Sequence, residues 1–151
     1  MTNIDVRKPQ WGDSLELVVK MRQADLEELA AIGYTSGLVQ LIDTSISVSA
    51  PAYTITANGR VVCVMGVVPL ADGAAIWMLG TDLVTVHQRA LMRLCRPYIQ
   101  AFLSEYKHLY NYVHADNTRA VRWLKSVGFT LQSPEPHGPL GSPFHRFDMR
   151  S

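Results

Sequence analysis

The spacing of apolar residues changes period several times along the chain, and each change marks an element. Ile4 to Lys8 alternates, which predicts an edge strand ended by Pro9. Asp13 or Ser14 then caps a helix carrying Leu15, Leu17, Val18 and Met21. Asp25 starts a second short helix closed by Gly33, and Leu38, Leu41 and Ile42 keep helical spacing after Gly37. Ser45 to Ser49 is ambiguous between the two periods.

The middle of the chain reads as a meander. Ala52 to Ala57 predicts a strand, and Asn58-Gly59 is a strong hairpin signal. Arg60 to Val68 is an almost unbroken β-branched run, expected to be buried on both faces. Pro69 to Gly73 predicts a turn and Ala74 to Leu79 a third strand.

Leu83 to Tyr106 has one apolar side, with Leu91, Leu94, Tyr98 and Phe102, and predicts a long helix. Pro97 interrupts it, so either a kink or a new helix is expected there. Leu109 to His114 alternates, with Tyr110, Tyr112 and His114 on one face. Then comes HADNTRAVRWLKSVGFTL, from His114 to Leu131. Asp116 and Asn117 are good caps, and Ala120, Trp123, Leu124 and Val127 fall on one helical face, with Trp123 expected in the core. Gly128 provides a left-handed stop and Phe129 re-enters the core. A Pro/Gly-rich loop leads to a last strand from Phe144 to Met149.

Composition narrows this picture. A chain of 151 residues, 48% hydrophobic and 18% charged, predicts one domain around one core. A net charge of +1 gives no reason to invoke nucleic acid or an anionic membrane. No apolar run approaches the roughly 20 residues that span a bilayer. The polar N-terminus implies no secretion. Cys63 and Cys95 form no CxxC and are expected as buried free thiols. The scattered histidines predict no metal site, and neither a GxSxG elbow nor a P-loop occurs. Arg89, Arg93 and Arg96 stripe one helix face, which is either solvated or an anion or partner contact.

Asn117, Ala120, Gly128 and Phe129 match the Asn-x-x-Ala-x-x-x-Tyr-x-x-x-Gly-Phe form of the late helix in the GNAT family of N-acetyltransferases, which this segment resembles. The element order resembles that family too. The resemblance implies an α+β fold, with a mixed and mostly antiparallel twisted sheet flanked by helices in a single domain. It also implies an acetyl-CoA site, in which Ile76 to Leu79, with Trp77, Met78 and Leu79 as cofactor contacts, would run beside the pantetheine arm with exposed backbone groups on Trp77 and Met78. His87, Gln88, Arg89 and Asn117 would contact the rest of the cofactor.

Two features depart from that pattern. The family's phosphate loop is rich in glycine, whereas Thr81 to Ala90 contains none, and β-branched Val84, Thr85 and Val86 make a poor nest for phosphate. The position of the family's acidic Tyr holds Leu124, which cannot move a proton. His114 is the candidate catalytic base, with Glu27 and Glu28 as alternatives that otherwise read as a solvated helix face.

A narrower resemblance rests on IWMLGTD, the glycine-free helix, the Asn117, Arg119-Ala120 and Trp123-Leu124 positions, and the Phe144 to Phe147 ending. These are similar to small GNAT-like proteins of short-tailed phages, some described as internal virion proteins and others as acetyltransferases. The resemblance implies a phage protein in the virion or host cytoplasm, with other virion proteins or a host protein as partners and acetyl-CoA optional. The implied role is virion association or assembly with weak or lost acetyl-CoA chemistry. The alternative is an active N-acetyltransferase with an atypical phosphate loop.

Overall fold

Asn58 and Gly59 both adopt positive φ, at 51° and 80°, and close the hairpin that seeds the sheet. The computed structural model describes residues 2–151. The strands are β1 (Ile4–Arg7), β2 (Ala52–Ala57), β3 (Arg60–Leu70), β4 (Gly73–Gly80), β5 (His108–His114), β6 (Thr130–Leu131), β7 (Glu135–His137) and β8 (Ser142–Arg150). The helices are α1 (Asp13–Val19), α2 (Gln23–Ala31), α3 (Leu38–Val48), α4 (Leu83–Val86), α5 (Gln88–Tyr106) and α6 (Thr118–Val127). One eight-stranded sheet runs β1-β2-β3-β4-β5-β8-β6, with β7 also on β8. Every pairing is antiparallel except β4 with β5. This is the α+β architecture, mixed and mostly antiparallel, that the resemblance implies.

Helices cover both faces. α5 and α6 pack Leu91, Cys95, Ile99, Phe102, Leu124 and Val127 onto one side. α1, α2 and α3 bring Leu17, Leu29 and Ile42 to Val61 and Val64 on the other. Two-sided coverage is why β3 carries an apolar run and not an alternation.

Several boundaries differ from the sequence reading. α1 begins after Gly12, and the Asp13 carboxylate turns back to Gln10, Arg7 and Thr54 in place of capping. α2 begins two residues before Asp25 and α3 continues through Ser45 to Val48. The long helix breaks at His87, not at Pro97, and α5 runs through the proline. Pro97 lies on the exposed side, where the Arg93 carbonyl it leaves free can meet water. Trp123 is half-buried at the edge of the core, and Leu124 holds the buried position. The proline-rich tail contains β7. Asn117 caps α6, and Gly128 ends it at φ 116°.

Candidate functional site

β4 and β5 pair only at Ala74–Leu109 and Ala75–Tyr110, after which the two parallel strands diverge. The opening continues into a cleft of about 390 Å³ that reaches from α2 and α3 on one face to α5 and α6 on the other. Strand alternation decides which backbone groups face it. Thr81 donates to the Val62 carbonyl of β3, so Gly80, Met78 and Ile76 direct their N–H and C=O groups away from β3 and toward the gap. Trp77 and Leu79 point their backbones at β3 and contribute side chains to the cleft wall.

The protein itself uses most of these exposed groups. Asn111 Nδ2 donates to the Ile76 carbonyl at 2.8 Å, and the Gly80 N–H donates to Asp25 Oδ2 at 2.8 Å. On the opposite leg the His114 N–H donates to Glu28 Oε1 at 2.8 Å. Asn117 Nδ2 reaches the same oxygen at 3.5 Å. The Met78 backbone faces the gap where no strand pairs with it.

Asp25 and Glu28 lie on one turn of α2, and both are largely withdrawn from water. Burial pushes each carboxyl above its ordinary range, and for Glu28 the neighbouring Asp25 charge adds to this. Arg22 Nη1, 3.9 Å from Asp25, and the donated N–H groups act in the opposite sense. Glu28 is therefore not the solvated residue that its sequence context suggests, whereas Glu27 is exposed beside Gln23.

The loop after β4 folds into the single turn of α4. Val84 and Thr85 donate to the Thr81 and Asp82 carbonyls, His87 donates to Leu83, and the Leu83 N–H meets Thr81 Oγ1. These amides are turned inward and form no open nest. Val84 folds close over Gly80, where a Cβ would lie 2.4 Å from its methyl carbon. A side chain at position 80 would collide with this turn. Gln88 lines the cleft at the start of α5, Arg89 is exposed, and His87 is half-buried outside the cleft wall. Arg119 of α6 joins this corner by donating to Thr85 Oγ1 at 3.1 Å.

His114 sits at the end of β5, but its ring does not line the cleft. Its Nδ1 accepts the Asp116 N–H at 3.0 Å, which leaves the ring proton on Nε2, and the ring packs edge-on to Phe144. Leu124 lines the α6 side of the cleft. Trp123 lines it too, and its buried Nε1 has no hydrogen-bond partner among the described residues. No group of three or more His, Cys, Asp or Glu residues among the described residues is arranged to hold a metal ion. Among the described residues, no helix is long and apolar enough to cross a membrane.

Of the candidate site residues taken from sequence, Glu28, Trp77, Met78, Leu79, Gln88 and Asn117 line the cleft, whereas Glu27, His87, Arg89 and His114 do not. Arg22, Asp25, Asn111 and Arg119 also line it, although their sequence context assigns them no site role. Asn111 carried a usable signal, because it interrupts the buried parity of Leu109 and Val113 in β5.

Solved structures that match this fold include acetyltransferases. The spermidine N-acetyltransferase of Vibrio cholerae, in complex with CoA and spermine, matches at 8% identity over 97% of this chain and 95% of its own, with a TM-score of 0.74. The ribosomal-protein-S18-alanine N-acetyltransferase of Escherichia coli matches at 13% identity over 99% and 94%, with a TM-score of 0.68. A GNAT-family acetyltransferase of Streptococcus pneumoniae matches at 15% identity over 99% and 100%, with a TM-score of 0.64. At these identities the likeness establishes the GNAT fold. No curated protein matches the chain by sequence. A family model does match, over residues 53–133, which is more than half of the chain and runs from β2 through α6 to just beyond β6. The chain belongs to the family described as "Bacteriophage T7, probable scaffold protein Gp13".

Proposed function

We propose that this chain is a phage assembly protein built on the GNAT fold, associated with the virion or its assembly, in which acetyl-CoA chemistry is weak or lost. The observation that carries this reading is that the chain's own side chains occupy the polar groups of its cleft. Asp25 takes the Gly80 N–H, Glu28 takes the His114 N–H and Asn111 takes the Ile76 carbonyl. A thioester arm entering the gap would have to displace these bonds, and only the Met78 backbone is offered to it. Asp25 and Glu28 at the same place offer a polyanionic ligand no positive charge. The turn of α4 removes the amide nest that phosphates use, and Leu124 removes the family's proton donor. Membership of a family described as a probable scaffold protein supports the assembly role. Its partners on this reading are other virion proteins, with a host protein as the alternative.

One feature favours the second reading, an active N-acetyltransferase. The first turn of α5, at Gln88 to Ala90, and the Arg119 guanidinium converge on one corner of the cleft and could receive an anion. Isothermal titration with acetyl-CoA separates the two. The assembly reading expects no heat at high micromolar ligand, and saturable binding at low micromolar ligand would overturn the loss of acetyl-CoA chemistry. Mass spectrometry of washed, purified virions tests the assembly role: the chain should be present at a fixed copy number, and its absence from virions and procapsids alike would overturn that role.

A further inference from the structure

The net charge of +1 conceals a strong segregation of charge. Residues 83–127 hold seven Lys and Arg against two Asp and Glu, a net +5, while residues 1–82 carry −4 and residues 128–151 carry zero. Six of the seven cations lie on two neighbouring helices. Arg89, Arg93 and Arg96 line the side of α5 opposite its buried Leu91, Cys95 and Ile99. Arg119, Arg122 and Lys125 line the side of α6 opposite Leu124 and Val127. All six are exposed, and among the described residues none of the six is in an ion pair.

The two helices run side by side in the same direction. Arg119, at the start of α6, bonds Thr85 just before α5, and Arg96, further along α5, donates to the Ser126 carbonyl near the end of α6 at 3.0 Å. Their positive N-terminal ends therefore lie together at one edge of the patch. Along each row the cations are spaced by about 4.5–6 Å, at 1.5 Å per helical residue. The axes of packed helices such as these lie roughly 8–10 Å apart.

We infer that this α5–α6 surface binds the phosphate backbone of double-stranded nucleic acid without reading its sequence. Like-charged side chains gathered without counter-ions repel one another, so a polyanion is the partner that relieves the arrangement. The composition favours phosphate over an acidic protein. Protein interfaces centre on buried apolar or aromatic side chains. No large hydrophobic residue of α5 or α6 is exposed, and Val86 in α4 is the nearest in sequence. Five of the six cations are arginines, whose flat fork matches phosphate oxygens in pairs. No exposed aromatic residue interleaves them to stack on bases, so unpaired strands are the poorer fit. This surface lies outside the cleft, apart from Arg119, and the inference does not depend on whether acetyl-CoA binds.

Fluorescence anisotropy with the full chain and a labelled, mixed-sequence DNA duplex tests it. If about five of the cations meet phosphates, log K should fall against log salt with a slope near −4.5 to −5, a loss of about 500- to 1,000-fold between about 50 and about 200 mM salt. The triple variant Arg93→Ala, Arg96→Ala, Arg122→Ala should keep its melting temperature and reduce the slope by roughly 3. A scrambled duplex should bind equally well. The inference is overturned if no binding appears at low salt, or if the triple variant binds with the parent slope. It is also overturned if polyglutamate competes as well as duplex of equal total charge, which would point to an acidic protein partner.

Discussion

Asp25 and Glu28 stand one turn apart on α2, yet each holds a different leg of the opened sheet. Asp25 takes the Gly80 N–H of β4 and Glu28 takes the His114 N–H of β5, both at 2.8 Å. One short helix thereby satisfies two of the donors that strand pairing gives up where β4 and β5 part. The same two bonds fix the width of the cleft and fill part of it.

Glu28 gives this relationship a measurable pH signature. Its carboxyl is raised by burial, so the folded protein binds a proton more readily than the unfolded chain. Its contribution is fully present below the ordinary carboxylate value and is lost as pH rises through the raised value. Glu28→Gln can keep an acceptor for the His114 N–H and removes this titration. Relative to the parent, Glu28→Gln should therefore gain stability as pH rises from the ordinary carboxylate value through the raised one. Glu28→Ala should lose about 1–3 kcal/mol, because it strands a buried N–H. Denaturant melts across that range provide the check; parallel curves for the parent and Glu28→Gln would remove Glu28 from the account.

Asp13 should behave in the opposite sense. Burial raises its carboxyl, but the Arg7 fork at 2.8 and 3.0 Å, the Gln10 N–H at 2.8 Å and the Thr54 hydroxyl at 2.7 Å outweigh that and leave it below the ordinary value. Its stabilisation is present above the ordinary carboxylate value and disappears as pH falls through the lowered one. Asp13→Ala frees four donors at the junction of β1, α1 and β2, with Arg7 partly in water, and should cost about 2–3 kcal/mol at neutral pH. That penalty should shrink in acid, as urea melts at neutral and acid pH would show.

The fold was legible because local signals agreed with the global one. Asn58-Gly59, the β3 run and the Asn117 to Phe129 helix each follow from turn, burial or capping chemistry within a few residues. The site was less legible because its contacts span the chain: Asp25 meets Gly80 across 55 positions and Glu28 meets His114 across 86. A carboxylate on a short amphipathic helix looks alike in sequence whether it faces water or a gap between strands. The break at His87 was hidden for a related reason, since α4 and α5 share a helical period and differ in the tertiary contact of Val84 over Gly80.

Cys63 and Cys95 are both buried in the core beneath α5. Burial pushes Cys63 well up, and Cys95 is pushed up to about 12. Neither should form a thiolate near neutral pH. An aromatic disulfide reagent should label neither thiol in the folded protein and both in denaturant. Rapid labelling of the native protein would mean that the sheet opens locally on that timescale.

Trp123 lines the cleft with a buried Nε1 that has no partner among the described residues. Trp123→Phe removes that unsatisfied donor while keeping an aromatic ring, and should change stability by less than about 1 kcal/mol. Trp123→Ala should cost less than the roughly 3–5 kcal/mol of a fully enclosed aromatic, because the ring is half-buried. Thermal denaturation of both variants decides this, and an equally large loss in each would show that the indole nitrogen is bonded in solution.

Leu124 offers the sharpest test of the chemistry. It is 7% exposed, lines the cleft and packs with Val127 and Phe129. Leu124→Tyr supplies the hydroxyl that the GNAT pattern places there, at a packing cost of about 1–3 kcal/mol. If the missing acid were the sole obstacle, this variant would release CoA thiol from acetyl-CoA in the presence of an amine acceptor faster than the parent. With Asp25, Glu28 and Asn111 holding the gap and α4 closing the phosphate loop, no gain is expected. A folded Leu124→Tyr variant that turned over acetyl-CoA would show that the occupied backbone groups yield to the ligand, and would overturn the proposed loss of chemistry.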